Sequence, residues 1–354
     1  MSINKKATIV SAVLVSSALL SGCGLFGGED KKEKIDPPQT VSYEEEDVVT
    51  EESAELENKG KEEAEETTAK TDVYLIDSSG YVVSQTLELP KTNSVAKQAL
   101  EYLVVDGPVT NMLPNDFRAV LPAGTKVSVN IKDNVANVDF SKEFSEYKAE
   151  DEMRILQAVT WTLTQFDSVE KVKMTLNGNE MKEMPVEGTP IGETSSRASG
   201  INIDTSMVTD ITNTKPVTVY YLGGEQDSYY YVPVTKRVSN KLQDNVEAVV
   251  KELAKGPGMG SKLSSLLQKD AALIGKPEMK DGVVTLDFNE SVYSSFEEKI
   301  VSENLIKALA LSLTEQEGIE GVAVTVNGEA DLVNEDGEKI EAVTRPENVN
   351  TGIY

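Results

Sequence analysis

From residue 71 onward the apolar positions change period in a fixed succession, and the succession occurs twice. Val73 to Ile76 and Val82 to Leu89 are short β-rich runs separated by Asp77, Ser78, Ser79 and Gly80, a turn composition that predicts a hairpin. A helix follows. In the second copy Leu242, Val246, Val249, Val250 and Leu253 form one apolar stripe at helical spacing. Gly256 and Pro257 are expected to stop it, as Gly107 and Pro108 are expected to stop its counterpart. Two strands come next, joined at Asp281 and Gly282 in one copy and at Asp133 and Asn134 in the other. Such a turn requires positive φ at both central positions, and Asn is the residue that best replaces Gly there. A second helix carries Ile155, Leu156, Val159, Leu163 and Phe166, or Leu305, Ile306, Leu309 and Leu313. It feeds a last strand, Val169 to Leu176 or Ile319 to Val326, that ends in an Asn-Gly turn. Each unit therefore reads β-β-α-β-β-α-β, an α+β sandwich with helices packed on one face of a mostly antiparallel sheet.

The duplication is visible in the letters as well as in the periods. VYLI (Val73–Ile76) faces VYYL (Val219–Leu222), LVVDGP (Leu103–Pro108) faces LAKGP (Leu253–Pro257), and KDNVANVDF (Lys132–Phe140) faces KDGVVTLDF (Lys280–Phe288). Leu163-Thr164 faces Leu313-Thr314, and TLNG (Thr175–Gly178) faces TVNG (Thr325–Gly328). Matches kept in order at a shift of about 150 residues mark a repeat rather than coincidence. The expected organisation is a domain at 71–188, a Ser/Thr-rich linker at 189–214, a second domain at 215–345 and a tail at 346–354. The stretches Asp106–Thr125 and Gly256–Lys276 are long for plain connections. Leu263, Leu266 and Leu267 suggest a short helix in the second of them.

Ahead of the repeat, Lys5 and Lys6 precede an apolar run from Ala7 to Leu20 that ends in Leu20, Ser21, Gly22 and Cys23. A positive n-region and a short apolar h-region make residues 1–22 a secretory signal, and the run is too short to cross a bilayer comfortably. The final tetrad looks like a bacterial lipobox, in which Cys23 would become a diacylated N-terminus; an uncleaved anchor with an incidental thiol is the alternative. Two acyl chains hold a membrane where one is marginal. Residues 23–70 then form an acidic tether, with 16 acids against 5 Lys between Glu29 and Glu66, too poor in apolar residues to fold on its own. Its role is either to hold the domains off an anionic surface or only to keep the chain soluble.

The signal with its lipobox, the tether, and two modules with a Gly-Pro stop, an Asp-Phe strand end and an Asn-Gly turn resemble the spore-germination lipoproteins built from tandem GerMN domains. That resemblance implies an extracytoplasmic lipoprotein of an endospore-forming, Gram-positive bacterium, needed for sporulation and germination. It also implies similarity to the ring-building modules of complexes that span the space between two membranes, and it brings no catalytic motif. The expected function is a non-catalytic scaffold on the outer face of the cytoplasmic or forespore membrane, in the space between mother cell and forespore. Its partners would be other sporulation envelope proteins. The alternative is a peptidoglycan-binding or wall-remodelling lipoprotein that uses carboxylates as a glycoside hydrolase does.

Composition narrows the chemistry. The 354 residues include no His and one Cys, and the net charge is -26. Ser-His-Asp triads, Cys-His pairs, imidazole zinc sites and internal disulfides are all excluded, and the charge argues against nucleic acid. No cofactor is implied: no Gly-rich phosphate loop and no EF-hand-like loop is present. Ser-x-x-Lys occurs at Ser94/Lys97, Ser145/Lys148 and Ser168/Lys171 without the accompanying elements of a penicillin-recognising site, as a Ser- and Lys-rich chain gives by accident, and Ser94, in the first turn of a helix, reads as a cap rather than a nucleophile. The one matched pair of candidate carboxylates is Asp139 and Asp287, with Glu143 and Glu290 nearby. A strand-end Asp more commonly closes a turn by accepting from a backbone N-H. Tyr220, Tyr221 and Tyr229 to Tyr231 are candidates for a sugar-binding or protein-binding face, or else are ordinary strand residues. The one expected modification site is Cys23.

Overall fold

The computed structural model describes residues 68–352 except 207, 209, 210, 226 and 227. Copy one runs through β1 (Thr68–Asp77), β2 (Val82–Pro90), α1 (Val95–Glu101), β3 (Phe117–Arg118), β4 (Val127–Lys132), β5 (Val135–Phe140), α2 (Glu152–Leu163), β6 (Lys171–Leu176) and β7 (Asn179–Glu180). Copy two runs through β8 (Thr214–Gly223), β9 (Tyr230–Ser239), α3 (Asn245–Lys255), β10 (Glu278–Lys280), β11 (Val283–Phe288), α4 (Glu303–Leu313), β12 (Gly321–Val326) and β13 (Val343–Thr344). The chain is α+β in the order read from the periods.

In each copy the first hairpin is one sheet, and a four-stranded sheet in the order β4-β5-β6-β7 or β10-β11-β12-β13 is another. The four-stranded sheets are mixed: β5 pairs parallel with β6 and β11 with β12, while their outer pairs are antiparallel. Parallel neighbours need a crossover, and α2 and α4 supply it. Both helices also lie on the hairpins, α2 against β1 and β2 and α4 against β8. The turns have the geometry that their letters require. Asp133 and Asn134 sit at φ 53 and 59, and Asp281 and Gly282 at 48 and 78.

Two local expectations are corrected. Gly256 does terminate α3, at φ 79, and Asp244 caps its start by accepting from Val246 N and Glu247 N. Its counterpart α1 ends earlier, at Glu101, well before Gly107. The reason is a competing ladder: Val105 N donates to Leu121 O, and Val120 N and Leu121 N both donate to Leu103 O, which draws the chain out of the helix. Residues 263–267 form no helix. Ser264 instead pairs with Leu222 on β8, which extends the backbone while Leu263 and Leu267 still reach the core. At Ser94 the side chain makes no capping hydrogen bond, and Lys97 pairs with Glu101.

Most of the buried apolar side chains of both copies form one continuous cluster, from Val73 and Trp161 to Phe288 and Leu309, and Tyr220, Leu222, Tyr231, Ala308 and Leu311 form a smaller second one. Phe140 and Phe288, the matched strand ends, are both fully buried. Side chains of that size contribute about 1.5–3 kcal/mol each by leaving water. The copies thus share a core, and what joins them is the next question.

Candidate functional site: the seam between the copies

The segment expected to be a linker contains Arg197 and Asn202, and the same spacing recurs in Arg345, the last residue of the expected second domain, and Asn350 in the expected tail. Each segment is built into the fold as a strap. Ser195 pairs with Val172 on β6, and Val343 pairs with Val322 on β12, the equivalent strand. Behind Ser195, its hydroxyl bonds the buried Thr160 hydroxyl at 2.8 Å.

The Asn side chains lie between β2 and β9, the hairpin strands that face each other across the seam. Asn202 Oδ1 accepts from Val82 N, and its Nδ2 donates to Val82 O and to Pro233 O of the other copy. Asn350 repeats this by symmetry: Oδ1 accepts from Tyr231 N, and Nδ2 donates to Tyr231 O and to Ser84 O of the other copy. A carboxamide carries the same donor and acceptor as a peptide group, so each Asn supplies the bonds that a strand between β2 and β9 would have made. These edges are consequently closed to a further strand.

The Arg side chains converge at one end of the seam. Arg197 lies over the Trp161 ring at 4.3 Å, donates Nε to Thr164, and bonds Glu315 through Nη1 at 2.9 Å. Arg345 lies over Tyr220 at 5.6 Å, donates Nη1 to Thr314, and meets the same Glu315 oxygen through Nη2 at 2.8 Å. Tyr220 OH donates to Glu315 as well. Burial by itself would raise the Glu315 carboxyl, but the two guanidiniums outweigh it and hold the group below the ordinary range. The matched position in copy one is Gln165, whose amide is spent on the backbone of Asp72 and Thr162. One carboxylate therefore serves two arginines. A cleft of about 610 Å³ opens beside them, lined also by Asp72 and Tyr74. Burial raises Asp72 above the usual carboxylate range despite its bond from Thr86.

A third contact joins the hairpin ends. Asp77 Oδ1 accepts from Ser79 N and Tyr81 N, and Oδ2 accepts from Tyr230 OH of the other copy at 2.9 Å. Phe117 packs edge-on against the same Tyr230 ring, with centroids 5.1 Å apart.

The residues singled out in the sequence have other duties. Asp139 Oδ1 accepts from Thr175 Oγ1 and Gly178 N, and Asp287 Oδ1 accepts from Thr325 Oγ1 and Gly328 N. Each carboxylate fastens the Asn-Gly turn to the neighbouring strand. Glu290 accepts from Asn327 in that same turn. Of the five tyrosines, Tyr220, Tyr221, Tyr230 and Tyr231 are buried, and Tyr229 is 48% exposed. Tyr221 and Tyr231 bond Glu252 O and Asn304 through their hydroxyls. Among the described residues no group of three or more acids and thiols could hold a metal ion, and no helix is long and apolar enough to cross a membrane. Cys23 lies outside the described residues. The straps were missed because a Ser/Thr-rich stretch with no apolar period reads as a connection. The self-alignment carried past Gly178, at a shift of 148, would have placed Arg197 on Arg345 and Asn202 on Asn350.

Comparison with known proteins agrees with the duplication. A family model, Germane, described as sporulation and spore germination, matches residues 72–182 and again 218–331. Both matched regions stop short of the straps. The spore germination protein GerM of Bacillus subtilis (strain 168) is 51% identical over 360 residues, covering 98% of each chain. A solved structure of the tandem GerMN domains of the sporulation protein GerM from Bacillus subtilis superposes with a TM-score of 0.77 at 55% identity, covering 80% of this chain and 99% of that one.

Proposed function

This chain belongs to the sporulation and spore germination family, in the form with two GerMN domains, and from that premise we propose that it is a non-catalytic assembly module held on the outer face of a membrane by a lipidated Cys23. The observation that carries this reading is the use made of the matched polar groups. Asp139 and Asp287 fasten turns, Arg197, Asn202 and Asn350 bind the copies to each other, and Arg345 holds Glu315, the carboxylate that Arg197 reaches across the seam. None of them is left presenting chemistry to a substrate. The space between mother-cell and forespore membranes is the proposed location, and envelope proteins assembled there are the proposed partners.

The seam also constrains how assembly proceeds. Its contacts are isologous, since Val82 and Ser84 on one side answer Tyr231 and Pro233 on the other. An isologous contact closes on itself and does not propagate into a ring. Any larger array would therefore use outward surfaces, such as the free edge of β4.

Two experiments test the reading. Cross-linking in sporulating cells is expected to recover envelope membrane proteins with this chain; recovery of the chain alone counts against it. Asp139→Asn and Asp287→Asn keep the accepting oxygen, so sporulation is expected to proceed normally with either. The Ala variants lose it, at about 1–2 kcal/mol each in a denaturant melt. A wall polymer turned over by the wild type and not by the Asn variants would establish carboxylate catalysis in place of scaffolding.

A further inference from the structure

The copies differ most on the outer face of their first helix. In copy one, β4 starts at Val127 and packs on α1. In copy two the equivalent strand, β10, is cut to Glu278–Lys280, and α3 runs on to Lys255. The chain before β10 bows outward, and a groove of about 430 Å³ opens between it and α3. Val250, Ala254 and Ala271 give it apolar lining, and its charged lining is Lys251, Lys255 and Lys269 against one acid, Glu247.

These lysines are not inherited from the duplication. Counting from Leu103 and Leu253, copy one has Glu101 and Val105 where copy two has Lys251 and Lys255. Counting from Arg118 and Ser264, which pair with the matched residues Ile76 and Leu222, copy one has Ala123 at the position of Lys269. The segment from 251 to 280 holds six Lys and three acids in a chain of net charge -26. Lys251 and Lys255 pair with Glu247 and Glu252 on their own helix, with more than half of each lysine side chain in water. The Lys251 pair, with both side chains in contact with water, is worth about 0–1 kcal/mol and exchanges readily, whereas Lys255 holds the buried Glu252 carboxylate and offers a partner only its outer side. Lys269 has no ion pair among the described residues.

We propose that this groove docks an acidic segment of a partner protein, with an apolar side chain on the floor and flanking carboxylates on the three lysines. The shape and charge decide among occupants. A bilayer is flat and would meet the lysines without reaching the recessed floor. A second copy of the chain would have to approach against the mutual repulsion of two strongly negative molecules. An acidic peptide is small enough to satisfy rim and floor together, its carboxylates meeting the three lysines at short range while it stays clear of most of the chain's negative surface. The inference rests on the assembly reading, because it names the surface through which one partner is held.

The test uses the chain from residue 63 onward, a compact unit with its own continuous core, and a short fluorescein-labelled peptide of Glu residues around a central Leu-Leu pair. Fluorescence anisotropy is expected to show it binding about tenfold more tightly than a Ser-Ser control, with both weakened by salt. Lys251→Glu with Lys269→Glu, or Ala254→Phe filling the floor, is expected to abolish the difference, and Lys262→Glu outside the groove to leave it intact. Circular dichroism melts confirm that each variant is folded. The inference is overturned by equal binding of the two peptides or by binding indifferent to the groove variants. It is equally overturned by lysine-dependent sedimentation with phosphatidylglycerol vesicles in the absence of peptide binding, or by a lysine-dependent dimer. Should it fail while cross-linking to envelope proteins persists, the assembly reading stands and another surface is responsible.

Discussion

Glu315→Gln is expected to destabilise the protein by about 3 kcal/mol, lowering the thermal midpoint by roughly 6–12 °C. The side chain is 9% exposed and neutralises two guanidiniums at once. Removing its charge leaves Arg197 and Arg345 without the carboxylate they bond, with Asp72 in the same cleft as a more distant counter-charge. The lower end of the usual cost for breaking a buried pair applies, because these arginine side chains keep 28% and 30% exposure. The acid limb gives a second readout. Glu315 has a depressed pKa in the folded state, so its contribution is complete above the unfolded carboxylate value and is lost as pH falls through the folded one. Denaturant midpoints between neutral pH and pH 3 should fall more steeply for the wild type than for Glu315→Gln. Parallel curves, or a melt within about 1 kcal/mol of wild type, would mean that the arginines draw their stability from the Trp161 and Tyr220 rings and not from the carboxylate.

Asn202→Ala combined with Asn350→Ala is the second large effect. Asn350 is 2% exposed, and its removal takes away the side-chain bonds to Tyr231 N, Tyr231 O and Ser84 O. Buried bonds lost in this way cost about 1–3 kcal/mol each, so the single Asn350 variant should lose at least about 3 kcal/mol and the double variant more. The two sites bond different strand positions and should be close to additive. Since both Asn side chains bridge the copies, the double variant should also weaken cooperativity, with calorimetry resolving two transitions and protease cutting in the 189–214 strap. A single transition at the wild-type temperature would show that the shared apolar core alone holds the copies together.

Particular residues show where reading the letters succeeds. Asp133 with Asn134 and Asp281 with Gly282 announce their turns because positive φ is a property of single residues, which no distant contact is needed to impose. The stripe of α3 is legible for the same reason, one face being buried along a regular period. Where it fails, a distant backbone intervenes. Gly107 and Pro108 look like the end of α1, yet Leu121 captures the chain earlier. Leu263, Leu266 and Leu267 look helical, yet β8 draws Ser264 into a bridge. Asp139 and Asp287 look equally suited to acid-base work and to turn closure, and their letters alone do not choose between the two.

What the sequence determined by itself is therefore local and periodic: two copies of one α+β module, their order of elements, their turns, and an acidic chain without the residues that most hydrolytic chemistry needs. Only the tertiary structure decided that the copies form one body, that Arg197, Asn202 and Asn350 are its rivets while Arg345 steadies the shared Glu315, and that copy two carries an open basic groove. The physical reason is that turn and helix signals are written in residues a few positions apart, whereas Asn350 meets Ser84 across 266 residues and Arg197 meets Glu315 across 118, where spacing along the chain carries no information about proximity.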